Sequence, residues 1–202
     1  MSPFRLPAAP ALALGLSTVS GTAFAHPGHE AASFLTGLAH PFGGLDHLLA
    51  MLAVGLYAAH QSGTARRALP AGFVLAKLAG AGLGVAGIAL PAVEAGISAS
   101  VLVLGLLIAL AARLPLGAAL PLVAAFALFH GHAHHAEMGG ASLATYVAGF
   151  ALATALLHGI GYALARWMPQ TTLGQRVQRI AGGVIAGAAG AGLSSSPAGS
   201  GA

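Results

Sequence analysis

The stretch GAALPLVAAFALFHGHAHHAE (residues 117–137) joins a long apolar run to four histidines and a glutamate at its end. The run is close to the ~20 residues that cross a bilayer core as a helix. It is the fourth of six such spans, which cover approximately residues 44–61, 69–90, 93–112, 117–135, 142–165 and 176–193. The pattern predicts an all-α polytopic membrane protein, a bundle of about six transmembrane helices.

The composition of the 202-residue chain supports this class. Hydrophobic residues make up 57% of it and charged residues only 6%, whereas soluble domains average about 25% charged residues. Such a chain cannot cover a water-facing surface, so its surroundings should be the lipid bilayer. The eight basic residues are scattered, which argues against nucleic acid as a partner. Cysteine is absent, which excludes disulfides and thiolate metal sites.

The N-terminus resembles a secretory signal. Arg5 precedes a short apolar run at 8–19, and Ala23-Phe24-Ala25 forms a small-x-small cleavage site. We expect residues 1–25 to be a cleaved signal peptide, with an uncleaved first helix as the alternative. The six-helix transmembrane domain would then cover 26–193, and 194–202 would be a flexible C-terminal tail.

The basic residues predict the orientation of the bundle. Those near the span ends all fall in alternate connections, whereas the connections at 91–93 and 136–141 carry no Lys or Arg. Positively charged connections usually face the cytoplasm. The chain is therefore expected in the inner (cytoplasmic) membrane, with both mature ends on the periplasmic side.

The fourth span carries a stripe of metal-type ligands. On a regular helix His130, His134 and Glu137 lie within about 60° of one another, whereas His132 and His135 point to the opposite side. Two histidines four residues apart on one helix can share a metal ion. The alternative is a set of interfacial histidines in contact with lipid headgroups, although ionisable residues in membrane spans usually have a function.

The first span begins with a second group of ligands. Asp46 and His47 open this helix, and His40 precedes it by about 9–10 Å if the helix is regular. His40 can share their metal only if Gly43 and Gly44 break the helix; otherwise it belongs to an entry site.

Glu94 opens the third span at the same predicted membrane face. The candidate metal ligands are therefore His40, Asp46, His47, Glu94, His130, His134 and Glu137.

Other residues inside the spans favour structural interpretations. Lys77 is expected to snorkel toward the membrane surface, and His158 to form a hydrogen bond with Tyr162, its i+4 neighbour. The G-x-x-x-G pairs Gly80/Gly84 and Gly183/Gly187 predict close helix packing.

Two motifs resemble a known family. HPFGGLDH (40–47) and FHGHAHHAE (129–137) are similar to the H-P-x-x-G-x-D-H and F-H-G-x-A-H-G-x-E signatures of the HupE/UreJ family. His135 stands in place of the second motif glycine. The resemblance implies a small bacterial nickel permease that serves hydrogenase or urease maturation. It assigns functional roles to the seven candidate ligands and adds Phe73 of the second span.

The expected function is therefore import of a divalent transition metal, without catalysis and without a prosthetic group. Imidazole and carboxylate suit Ni²⁺, Co²⁺ and Zn²⁺ alike, so nickel rests on the resemblance alone. An intramembrane zinc-dependent hydrolase and a metal-binding sensor without transport remain alternatives, although the zinc-protease motif H-E-x-x-H is absent. A homo-oligomer is compatible with the sequence.

Overall fold

The computed structural model describes residues 34–134, 143–169 and 171–195. These ranges contain helices and connecting turns but no strand, which confirms the all-α prediction. The helices are α1 (Phe34–Ala39), α2 (Leu45–His60), α3 (Ala65–Val85), α4 (Val93–Ala109), α5 (Leu116–His132), α6 (Leu143–Trp167) and α7 (Thr172–Ser195). A short 3₁₀ turn at His40–Phe42 follows α1.

Each of the six predicted apolar spans forms one helix, α2 to α7, while α1 was not predicted. Among the described residues, α3 and residues 144–167 of α6 are long and apolar enough to cross a membrane. The pair α1–α2 is a third candidate if it counts as one broken span, and the apolar helices α4 and α5 have 17 residues each. The six-span arrangement thus stays a prediction, and the proposed signal peptide lies outside the described residues.

The helices α2 to α7 place the histidines of the two motifs and the arginines at opposite ends of the bundle. The first turn of α2 and the last turn of α5 carry the motif histidines, and we call this the histidine end. At the other end, the arginine end, Arg66 donates to the Gln61 carbonyl at 2.7 Å and Arg179 to the Ala109 carbonyl at 2.8 Å. The predicted segregation of charge is therefore present, and which end faces the cytoplasm stays a prediction.

Glycines allow the helices to pack backbone against backbone. On both helices of three packed pairs, a glycine lies where an added Cβ would meet the neighbouring backbone, as expected for small residues in membrane bundles. These glycines are Gly55 and Gly161 between α2 and α6, Gly80 and Gly131 between α3 and α5, and Gly105 and Gly182 between α4 and α7.

The prediction for the second G-x-x-x-G pair was wrong. Gly183 and Gly187 face open space, whereas their neighbour Gly182 packs against α4. The spacing of the glycines predicts that α7 packs closely against another helix. It does not identify which face of α7 makes the contact, because that depends on the partner helix.

A sharp break separates α1 from α2. The axes of Phe34–Phe42 and Leu45–His60 differ by 86°. Gly44 at the break has an extended backbone, with φ −126° and ψ 125°, and its carbonyl accepts the first hydrogen bond of α2 from the Leu48 amide at 3.0 Å. The helix is therefore broken at Gly43 and Gly44, as is required for His40 to lie close to Asp46 and His47.

Candidate metal-binding site

Four of the predicted ligands meet at the histidine end. The imidazoles of His40 and His134 are hydrogen-bonded through Nε2 and Nδ1 at 2.7 Å. The ring centroid of His47 lies 4.5 Å from that of His134 and 4.7 Å from that of His130. The break before α2 and the end of α5 thus bring together imidazoles that are about ninety residues apart in the chain.

Asp46 orients His47. Its Oδ1 accepts from the backbone amide of His47 at 2.8 Å and lies 3.1 Å from Nδ1 of the same residue. Because a carboxylate only accepts, Nδ1 must carry the hydrogen, which leaves the lone pair of the neutral ring on Nε2. That Nε2 is buried and has no hydrogen-bond partner within the described part of the chain. A carboxylate behind the far nitrogen is the arrangement seen at metal-ligating histidines.

Ser100 of α4 orients His130 in a similar way. The Ser100 hydroxyl donates to the Ile97 carbonyl at 2.6 Å and lies 2.7 Å from His130 Nε2. With its only hydrogen used, the hydroxyl accepts from Nε2–H. The lone pair of His130 is therefore on Nδ1, which is buried and lacks a hydrogen-bond partner in the described ranges.

His134 supplies a third open nitrogen. Its Nδ1 is engaged with His40, and its Nε2 is buried without a hydrogen-bond partner among the described residues. Buried polar atoms are nearly always hydrogen-bonded, and neutral imidazole is the commonest metal ligand in proteins. In the bond to His40, Nε2 of His134 carries a lone pair when its Nδ1 is the donor. The three nitrogens are suited to a cation that accepts the lone pairs of His47 and His130 and, in that tautomer, of His134. We call His40, His47, His130 and His134 the histidine cluster.

The histidine cluster is an open arrangement. In residues 34–134, 143–169 and 171–195, no three His, Asp or Glu side chains form a group that could hold a metal ion as placed. The cluster therefore offers partial sites of one or two nitrogens, and a bound ion would need small side-chain movements, water or a further ligand. Such partial sites suit an ion that must leave again.

Of the two remaining predicted ligands, the structure describes only Glu94. Glu94 is exposed in the first turn of α4 and is not brought into the cluster, so its role as a ligand stays a prediction. Glu137 and His135 lie outside the described residues. His132 is directed away, as expected, with its Nε2 2.9 Å from the Ile88 carbonyl.

A buried lysine lies behind the cluster. The ring centroid of Phe150 is 5.0 Å from that of His134, and the Lys77 ammonium lies 3.6 Å from the same Phe150 centroid. Lys77 also donates to the Thr154 hydroxyl at 3.0 Å and is only 1% exposed. The prediction that it snorkels was wrong, because its amine is held inside the core by the Thr154 hydroxyl and the Phe150 ring.

Phe73 connects the cluster to a further histidine. Its ring centroid lies 5.8 Å from that of His130 and 5.1 Å from that of His158. Neither ring nitrogen of His158 has a hydrogen-bond partner in the described structure, so the predicted bond to Tyr162 was wrong. Sequence reasoning also missed Ser100 and Phe150, whose contacts cross between helices.

Comparison with known proteins agrees with this arrangement. The family model described as "HupE / UreJ protein" matches residues 14–193. Protein HupE of Rhizobium leguminosarum bv. viciae is 47% identical over 165 residues, which cover 81% of this chain and 86% of the relative. No solved structure matches the chain. Both signature motifs lie within the matched range and provide the histidine cluster, and the chain belongs to the HupE/UreJ family.

Proposed function

We propose that this protein is a membrane permease that imports a divalent transition metal, with Ni²⁺ as the substrate, for metalloenzyme maturation. The observation that carries the proposal is the set of three buried imidazole nitrogens, on His47, His130 and His134, without hydrogen-bond partners in the described structure. Two of them have their lone pairs fixed by Asp46 and Ser100. Membership of the HupE/UreJ family and its apolar helices support a membrane protein that handles metal.

The histidine end also carries negative charge near the cluster. The side chain of Asp46 is 43% exposed beside the buried ring of His47, and Glu94 is exposed at the start of α4. Carboxylates at a mouth raise the local concentration of cations and exclude anions. We infer that a hydrated cation approaches at this end and exchanges water for imidazole as it enters the cluster.

The donor set favours some ions over others. Neutral imidazole suits Ni²⁺, Co²⁺, Zn²⁺ and Cu²⁺, whereas Mg²⁺ and Ca²⁺ require oxygen ligands. Four clustered imidazoles thus exclude the abundant divalent cations by chemistry. The choice of nickel within the first group rests on the family resemblance.

Uptake of ⁶³Ni²⁺ into cells that lack other nickel importers tests the proposal. His47→Ala and His134→Ala should each reduce initial uptake at least tenfold at unchanged membrane levels. His132→Gln is the matched control, since His132 is buried in the last turn of α5, two residues before His134, but bonds the Ile88 carbonyl, and it should import at close to the wild-type rate. Competition with unlabelled Ni²⁺, Co²⁺ and Zn²⁺ identifies the preferred ion.

Two results would reject the proposal. Normal uptake by both cluster variants would show that the ion follows another route. Metal binding by purified wild-type protein without accumulation in sealed vesicles would indicate the sensor alternative.

A further inference from the structure

The interface between α3 and α6 contains a buried polar group that the proposed function does not use. His158 lies on α6, only 2% exposed, with its ring perpendicular to that of Phe73 on α3. We propose that His158 is a second metal-binding station, deeper in the bundle, which receives the ion from the histidine cluster past Phe73. This inference rests on the proposed function and deepens it.

The first argument is the free-energy cost of burying the His158 imidazole without hydrogen-bond partners. A neutral imidazole has one N–H donor and one lone pair, and neither nitrogen of His158 finds a partner within the described residues. In a membrane interior such unsatisfied groups are disfavoured, and a leucine would fill the same space without this cost. A group that is satisfied only when an ion or water arrives accounts for a histidine at this position.

The second argument is its position along the bundle. His130 lies two residues before the end of α5, at the histidine end. His158 lies about 22 Å along α6 from the start of that helix and about 13 Å from its end, at 1.5 Å per residue. It is therefore past the midpoint of α6, toward the arginine end. An ion that leaves the cluster toward that end would reach His158 next.

The third argument is Phe73, which touches both imidazoles. Its ring contacts the buried rings of both His130 and His158, with centroid distances of 5.8 and 5.1 Å. A change of its rotamer is the smallest movement that would join the two sites, and its face can attract a passing cation. The resemblance to the family gives Phe73 a role, and this geometry specifies one: it separates two stations.

Lys77 sets the strength of the inner station. Its amine is bonded to Thr154, one helical turn from His158 on α6. In its protonated form this amine repels a second cation in a region of low dielectric, and His158 offers one imidazole where the cluster offers four. We therefore expect His158 to bind metal more weakly than the cluster does, which favours release toward the arginine end.

A binding experiment tests the station without relying on transport. The full chain is labelled with ¹⁵N-histidine, purified in detergent and disabled in the cluster by His47→Ala with His134→Ala. Titration with Ni²⁺ should broaden the His158 imidazole resonance, which is identified because it is missing in the His158→Gln variant, and the resonance of His130, which this protein retains, is followed separately. Tyr162→Phe, which alters a polar residue one turn further along α6, should leave the broadening unchanged. A His158 resonance that stays sharp at millimolar Ni²⁺ overturns the inference.

Titration of the wild-type chain with diamagnetic Zn²⁺ repeats the measurement without cluster substitutions. Coordination should shift the ¹⁵N resonance of His158 at higher metal concentration than those of the cluster histidines. If the His158 resonance does not shift even when Zn²⁺ exceeds the concentration that saturates the cluster, His158 does not bind metal and the inference is overturned.

Uptake measurements provide a second, independent test of the inference. His158→Gln and His158→Leu should each lower the initial rate of ⁶³Ni²⁺ uptake at least tenfold while the Ni²⁺ affinity of the cluster stays within about twofold of wild type. Wild-type uptake rates in both variants overturn the inference. If the wild-type chain imports no nickel, the proposed function fails, whereas the NMR titration still decides whether His158 binds metal.

Discussion

Ser100→Ala is the substitution that most directly tests how the cluster is prepared for metal. Ser100 and His130 are both fully buried, and the hydroxyl that donates to the Ile97 carbonyl also accepts from His130 Nε2. Alanine removes that acceptor and no water can replace it at such burial. His130 then either keeps an unpaired Nε2–H or moves the hydrogen to Nδ1, where it blocks the lone pair.

Two general magnitudes give the expected size of the effect of Ser100→Ala on metal affinity. A buried donor without a partner costs about 1–3 kcal/mol, which is the most that Ser100 can contribute to holding the tautomer. Loss of such supporting hydrogen bonds typically weakens metal binding by about 10- to 100-fold, equivalent to about 1.4–2.8 kcal/mol. The two ranges agree, so we expect the Kd for Ni²⁺ to rise about 10- to 100-fold.

Isothermal titration calorimetry of the purified protein measures the Kd, and the ¹⁵N shifts of the His130 ring report the tautomer. Ser98→Ala is the matched control, because Ser98 lies two residues away on the same helix and is only half-buried. A folded Ser100→Ala protein with unchanged affinity would refute the assignment of the lone pair to Nδ1. Weakened binding with Nε2–H still in place would show that burial cost, and not tautomer exchange, is responsible.

Three further predictions follow from packing and charge. Gly131→Ala should lower the free energy of unfolding in detergent by about 1–3 kcal/mol or more, because the added Cβ meets the Lys77 carbonyl. Gly117→Ala is the control, because its added Cβ meets nothing within 4 Å, and it should be neutral or stabilising. Lys77→Met should keep or raise the melting temperature, since it removes the cost of burying a polar amine and keeps a flexible apolar side chain of similar length. Glu94→Gln should change the Kd of the cluster by less than about fivefold, because exposed carboxylates interact weakly, and a larger loss would place Glu94 among the ligands.

Sequence reasoning predicted the helices and most of the cluster, for a physical reason. Lipid requires long apolar helices with satisfied backbones, so the six helices could be found from composition alone. The same cost makes ionisable residues in those helices conspicuous, which is why His47, His130 and His134 were identified. The spacing of His130 and His134 fixed their shared face, because both belong to one helix or its continuation.

The contacts between helices could not be predicted in this way. The break at Gly43 and Gly44 brings His40 to His134, which lies just past the end of α5, and the first span alone does not contain this contact. The sequence pairs His158 with Tyr162 because a single helix defines only contacts between neighbours at i+3 and i+4. In the structure it faces Phe73 of α3 instead. Rotation of one helix against another depends on the partner's side chains, and spacing within a helix does not contain that information.

Gly131 shows how packing and ligand geometry depend on each other. It lies between His130 and His132, and an added Cβ would meet the Lys77 carbonyl of α3. The close approach fixes the rotation of α5, because only this face of the helix can sit against that backbone. His130 is then turned toward His47 of α2, and His132 toward the Ile88 carbonyl. The glycine of the motif thus determines which histidines enter the histidine cluster, although it has no side chain that could bind a metal.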